Sequence, residues 1–498
     1  MAEQTSKNTL IVAECGFEYS SSPVDVIVRG QVRAEVSEEE IIIFERLKQP
    51  YIFKLTDISK IIPSNYKIII RLSPNGEIRL SELGYNFEDF LRILIKSRNM
   101  LISKYLLMSE EVIRKDIKAH CEISYPDCAE TISNDCEVII YKTGLAIHPE
   151  FSELIRIPYC EIKDINEIEY GLLVTSEDEL NVKLNQFGYE FDSFKKCLSD
   201  AMEKLNIFAQ EFVRGLDPEA DSITVRSVGG MLVDGKAAMK QNVEKFSKKI
   251  WSGLEKLIDK TDLKEEYAYL KALAVTDKIA IGLKQGLMGE LTDDYLWFLI
   301  PVCSIDAGDY KNCMILEAVP LKKEGFGGSA DKDVNNNDSE GSNGGDIVAV
   351  KNLFQNILSE KNKQPGNRQD DDEEKSQDHS QDEENSATGM ATYLFKIFDE
   401  NEIESLKNDS QNARKTELKI IEMIKKINKA LIAINFRREP IYLSEDALYD
   451  PKNIRYRFAI ENIPALKELR SKFIGRVSHS GLERWKKGIE KMIKSGNN

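Results

Sequence analysis

The chain has 498 residues, 42% of them hydrophobic, and a formal net charge of −16. This length exceeds one ordinary core, and the apolar fraction is enough to fill several. The charge excludes attraction of the whole molecule to nucleic acid or an acidic surface.

The opening residues MAEQTSKNTLIVAEC lack the basic stretch and apolar run of a secretory leader. Short β-branched runs then follow at Val24–Val28, Glu40–Phe44, Tyr51–Leu55, Lys67–Leu72 and Glu77–Leu80. Turn residues separate them, among them Pro74-Asn75-Gly76, so they read as strands of an antiparallel sheet. After Gly84 the period changes. Phe87, Phe90, Leu91, Leu94 and Ile95 recur at three and four, which predicts a helix.

The same order returns 104 residues later. Phe53, Leu55, Ile58 and Ile61 fall on Ile157, Tyr159, Ile162 and Ile165, and Ile78-Arg79-Leu80 falls on Val182-Lys183-Leu184. Gly84-Tyr85-x-Phe87-x-x-Phe90 falls on Gly188-Tyr189-x-Phe191-x-x-Phe194, and Leu198 and Met202 continue the second helix. Upstream, Ile41–Phe44 matches Val138–Tyr141 at a shift of 97, which predicts a longer hairpin near Gly144–Glu153 in the second copy. Phe87, Phe90, Phe191 and Phe194 are expected to be buried at the start of their helices.

Several antiparallel strands closed by one amphipathic helix resemble the pleckstrin-homology (PH) superfold. The resemblance covers residues 8–110 and 118–215. It implies a bent sheet capped by its C-terminal helix, and a module that binds a peptide, a partner domain or a phospholipid headgroup. The first hairpins, SSSPVDVIVRGQVRAE and CEISYPDCAETISND, lack the clustered Lys and Arg that headgroup-binding members carry, which disfavours lipid.

Next, Ile223–Val228 reads as a strand running into Gly230-Met-Leu-Val-Asp-Gly235-Lys236-Ala237. An amphipathic helix through Met239, Val243, Phe246, Ile250, Leu254 and Leu257 follows. This is the layout of a phosphate-binding loop, with Gly230, Gly235 and Lys236 as candidate nucleotide-binding residues. Ala237 stands where that motif needs a hydroxyl for Mg²⁺, so a glycine linker into a helix is the preferred reading. The helix carries Lys240, Lys245, Lys248, Lys249 and Lys256 beside Trp251, and it is expected to pack its stripe on a core rather than on a membrane.

Tyr269–Leu283, Asp294–Val302 and Asn312–Val319 read as strands or buried runs. The most apolar stretch, Tyr295–Cys303, is about half the length of a bilayer span. Residues 321–389 form an acidic, low-complexity insertion that is expected to be disordered, with nine carboxylates within 370–384. Ala391–Phe398 resumes the strand pattern, so 221–320 and 390–498 are expected to form one domain around that insertion. Helices are predicted over Glu417–Ile434, from Pro464 to Phe473 and from Leu482 to Ile493. Between them lie Arg437, Arg438, Arg476 and His479, a candidate anion-binding set for which salt bridges and a capping site are the preferred reading.

No acid–base pair is evident, so no catalytic residue is assigned and no cofactor is expected. The eight cysteines show no C-x₂-C spacing, and Cys121, Cys128 and Cys136 with His120 do not match a zinc motif. They read as buried small hydrophobes of a cytoplasmic protein, with no metal.

The expected fold is α+β and multidomain: two tandem PH-like bent antiparallel sheets, each capped by a C-terminal helix, then a mixed α/β and helical region with the acidic insertion. The expected function is that of an interaction or scaffold protein, binding a protein partner or another copy of itself. The alternatives are a nucleotide-binding enzyme using Gly230–Ala237, and polyanion or membrane-surface binding by the basic C-terminus, whose last 48 residues hold twelve Lys or Arg and four Glu.

Overall fold

Alternating apolar and polar residues build the first sheet, as the burial of Ile41, Ile43, Ile68, Ile70, Ile78 and Leu80 shows in the computed structural model of the chain. The structure describes residues 8–22, 25–73, 75–106, 110–126, 131–285, 294–304, 311–321, 391–407 and 412–495. The chain divides into two units, Met1–Lys322 with Met390–Asn498, and Lys323–Gly389. The second unit, and with it almost all of the acidic insertion, lies outside the described residues.

The first sheet comprises β1 (Thr9–Ser22), β2 (Asp25–Ser37), β3 (Glu40–Phe44), β4 (Tyr51–Lys54), β5 (Ile58–Ser64), β6 (Lys67–Leu72) and β7 (Glu77–Ser81). Its order is β4-β3-β2-β1-β7-β6-β5, antiparallel throughout. The long β1 pairs with β2 along its length and with β7 over Gly16–Ser20, so it belongs to both halves and lets the sheet bend. Helix α1 (Phe87–Leu106) adds Phe90, Leu91, Leu94 and Ile95 to the core.

The second sheet repeats this with β8 (Val112–Ser124), β9 (Thr131–Tyr141), β10 (Gly144–Pro149), β11 (Ile155–Pro158), β12 (Ile162–Ile168), β13 (Gly171–Ser176) and β14 (Asn181–Asn185), then helix α2 (Phe191–Leu216). The order β11-β10-β9-β8-β14-β13-β12 is that of the first sheet. Gly84 and Gly188 sit at the two strand-to-helix junctions with φ of 55° and 59°, a region where a side chain is disfavoured.

Strand register corrects one expectation. Val36 pairs with Ile41 and Ile41 with Phe53, while Ile140 pairs with Leu145 and Leu145 with Ile157. The 104-residue shift therefore runs through β2 and β3, and the second hairpin is not longer. Val138–Tyr141 is the end of β9, and it resembled Ile41–Phe44 only because both are β-branched runs. The signature phenylalanines also divide. Phe90 and Phe194 are fully buried, but Phe87 and Phe191 are half-buried. Tyr85 and Tyr189 are fully exposed, and no packing explains their recurrence.

A third sheet has the order β15 (Ala238–Met239), β16 (Ala280–Lys284), β17 (Tyr295–Ser304), β18 (Lys311–Pro320), β19 (Ala391–Phe395) and β20 (Phe473–Ser478), again antiparallel. Its helices of eight or more residues are α3 (Ser222–Leu232), α4 (Lys248–Ile258), α5 (Lys264–Leu273), α6 (Glu400–Lys407), α7 (Asn412–Ala433), α8 (Ile454–Asn462), α9 (Pro464–Ser471) and α10 (Leu482–Ser495). One face packs Ile281, Phe298, Ile300 and Ile315 against α3, α4, α5 and α10. The other packs Trp297, Leu299, Met314 and Phe395 against α7, α8 and α9. Burial on both faces is why Tyr295–Cys303 is unbroken in apolarity rather than alternating.

Three local expectations change. Ile223–Val228 is helical, within α3, whose N-terminus the Asp221 side chain caps at the Ile223 and Thr224 amides. Tyr269–Leu283 is the end of α5, a single turn, and then β16. The helix expected from Met239 is broken before α4, where Ser247 caps the Ile250 amide. Trp251 is buried in the core, as the packing reading required. Among the described residues, no helix is long and apolar enough to cross a membrane.

Candidate functional site

A broad concavity lies over α2. Edge strand β12 contributes Ile165 and Glu167, and β13 contributes Leu172. Helix α2 contributes Leu198, Ser199, Met202, Glu203, Asn206 and Ile207, and α3 closes the far side with Ile223, Arg226 and Gly230. The groove has a volume of about 1100 Å³. Ile207 is 45% exposed and Ile223 77% exposed, a hydrophobic pair left in contact with water. Beside them, β12 ends the sheet, and among the described residues no strand pairs with its outer N–H and C=O groups.

The same helix face is filled in the first repeat. There Ile95, Arg98, Asn99 and Ile102 are buried, whereas their counterparts Ser199, Met202, Glu203 and Asn206 are exposed or half-buried. Part of the cover is α8. Glu461 accepts a hydrogen bond from Ser73 at 2.7 Å, Arg457 pairs with Asp57 at 2.5 Å, and Phe458 lies 6.1 Å from Tyr105, ring to ring. The rest is the β10–β11 hairpin of the second repeat.

The glycine segment does not form a strand, loop and helix around a phosphate. Gly230 lies in α3 and lines the groove. Gly235 has a φ of 86°, and a Cβ there would stand 2.7 Å from the Phe436 ring. Lys236 pairs with Glu177 at 2.5 Å. Asp234, at a φ of 51°, is buried against Lys284, near the buried Arg156–Glu110 pair at 2.8 Å. The Gly235 carbonyl accepts from Trp297 Nε1 at 2.7 Å. Residues 232–237 thus join the second repeat to the third sheet, with Val233 in the core of the repeat and Ala237 in the core under the sheet.

The third sheet separates the candidate anion set. Tyr393 and Thr392 are neighbours on β19 and point to opposite faces. On the Tyr393 face, Arg438 stacks over Tyr393 at 5.5 Å and Arg476 over Tyr442 at 4.3 Å. Arg437 is buried. His479 is on the Thr392 face. Its Nε2 lies 2.9 Å from Glu317 and 3.3 Å from Thr392 Oγ1, and its Nδ1 lies 3.8 Å from Glu266. Trp485 stacks on its ring at 5.8 Å and donates to Thr392 at 2.8 Å. Sequence reasoning missed this buried Glu317–Thr392 partner pair because both sit inside apolar strands.

Burial alone lowers the His479 pKa, but hydrogen bonding and the charge of Glu317, joined by Glu266, outweigh it, and the net shift is upward. A histidine pKa raised on folding stabilises the fold fully below the unfolded-state value, and that contribution is lost as pH rises through the folded-state value. The stability difference between wild type and His479→Gln, measured by urea denaturation, is therefore expected to shrink from about pH 5.5 to about pH 9. A difference that grows over this range contradicts the pairing.

Among the described residues, no group of three His, Cys, Asp or Glu could hold a metal. No family model and no curated protein matches the chain. Solved structures that match include the following two. The C-terminal domain of an unknown protein from Leishmania infantum is 16% identical, with a TM-score of 0.17, over 21% of this chain and 95% of that one. The Spt16D Pob3N heterodimer is 13% identical, with a TM-score of 0.14, over 36% of this chain and 96% of that one.

Proposed function

We propose that the protein is an interaction module rather than an enzyme, and that the groove between β12 and α2 receives a segment of a protein partner. In this reading residues 8–110 and 118–215 are the PH-like modules, and 221–320 with 390–498 form the body that carries them. One observation supports it above the rest: among the described residues, a helix face buried by the chain's own segments in the first repeat stands open in the second, beside a strand edge with no partner. An extended segment there could add to the edge of β12 and place apolar side chains against Ile207 and Ile223.

A photo-crosslinking residue at position 207, introduced into the full chain in cells, tests this. The expected result is an adduct of defined mass that Ile223→Glu abolishes and that the same residue at position 85 does not form. Tyr85 is more exposed than Ile207 and lies outside the groove. The absence of any groove-dependent adduct overturns the reading.

A further inference from the structure

The two repeats contact each other through dissimilar surfaces. Helix α1 of the first holds the β10–β11 hairpin of the second. Asn99 donates to the Ser152 carbonyl and accepts from the Leu154 amide, both at 3.0 Å. Arg98 pairs with Glu153 at 2.6 Å and Arg92 with Glu150 at 3.4 Å. Arg92 also stacks over Phe151, which packs against the first repeat's core, and Ser103 meets His148 at 3.3 Å.

Because the repeats superpose at one shift, each has both surfaces, and one of each is left over. The unused hairpin is β3–β4, where Phe44 takes the place of His148, Leu47 that of Phe151 and Lys48 that of Ser152. The unused helix face is that of α2, where Glu203 takes the place of Asn99 and Ile207 that of Ser103. Leu47 is 99% exposed and held at a φ of 66°. A branched apolar residue gains nothing in that conformation from a free, solvated hairpin.

The leftover surfaces have changed together. The polar His148–Ser103 contact corresponds to Phe44 against Ile207, apolar on both sides, and Lys48 would face Glu203. Three contacts do not carry over: Arg46 replaces Glu150 and Lys196 replaces Arg92, the Arg98–Glu153 pair becomes Met202 and Gln49, and Pro50 has no amide hydrogen where Leu154 donates to Asn99; Asp200, one helical turn from Lys196, offers Arg46 a carboxylate.

We propose that the chain self-associates head to tail. The β3–β4 hairpin of one copy enters the groove over α2 of the next, repeating between copies the contact that joins the two modules within one. This rests on the groove being a binding surface, and it names a second copy as the occupant. The surfaces are different, so the contact is heterologous and each copy keeps one free end of each kind.

Sedimentation of the full chain over a concentration series tests this. Wild type is expected to grow in mass with concentration. Leu47→Asp and Ile207→Asp should each weaken association roughly tenfold or more, because each puts a charge where an apolar side chain would be buried. Both positions are exposed, and aspartate tolerates the left-handed backbone of position 47. Mixing the two variants should yield one-to-one dimers and nothing larger, since one retains the groove and the other the hairpin. A wild type that stays monomeric, an undiminished Leu47→Asp variant, or a mixture without dimers overturns the proposal. A monomeric wild type that still gives a groove-dependent adduct with a different polypeptide leaves the groove reading standing, and the loss of that adduct removes both.

Discussion

Replacing Phe194 by alanine is expected to lower the stability of the second repeat by about 3–5 kcal/mol. The ring is fully buried and stacks on Phe187 with centroids 4.5 Å apart and planes 20° apart. It lies in one core with Val174, Val182, Leu184 and Leu198, where the sheet and α2 meet. Truncation removes the contact area and leaves a cavity that strands on one side and a helix on the other cannot collapse to fill. Phe90→Ala should cost a similar amount in the first repeat, where it is likewise fully buried. Phe87→Ala and Phe191→Ala should cost distinctly less, since those rings keep part of their surface in water. Urea denaturation of the four variants checks the order. A smaller loss for Phe194→Ala than for Phe191→Ala would show that the burial has been misread.

The Asp234→Ala exchange is expected to cost about 3–5 kcal/mol, because it leaves the Lys284 ammonium buried without its partner. Both side chains are almost wholly enclosed, and the ring of Phe436 lies 5.5 Å from the ammonium. Alanine would also have to adopt the positive φ of position 234, which aspartate and asparagine tolerate better. Asp234→Asn should therefore be milder. Asp234→Asn combined with Lys284→Met, which removes both charges, should recover part of the loss. Thermal or urea unfolding of the three variants decides the matter. If the double variant is less stable than Asp234→Ala, the stability at this junction does not come from the ion pair.

The candidate site was legible only in part. Gly230 and Lys236 stood out through their spacing, but spacing does not distinguish a phosphate cradle from a joint between cores. The difference lies in α3, where Ile223–Val228 combines β-branched residues with a helix cap at Asp221. Tertiary packing overrode the strand propensity there, burying Val225 and Val228 against the third sheet. Arg437, Arg438, Arg476 and His479 looked like one cluster because they are close in sequence to two loops, yet β19 divides them between faces. The groove left a signal only in the comparison of the repeats, where Ser199 and Asn206 stand in place of Ile95 and Ile102. Ile207 and Ile223 look like ordinary core residues, and they form a surface because no segment among the described residues covers them.

The sequence by itself determined the duplication, the strand-to-helix junctions at Gly84 and Gly188, and the apolar runs of the third sheet. These are local matters of periodicity, glycine conformation and solvent exclusion, written within a few residues of where they act. Tertiary structure decided what the two copies do differently. The face of α1 is filled because α8 arrives from more than 350 residues away and the β10–β11 hairpin completes the cover, whereas among the described residues nothing covers the matching face of α2. Burial of a helix face depends on which distant segment reaches it, and chain topology sets which segment that is.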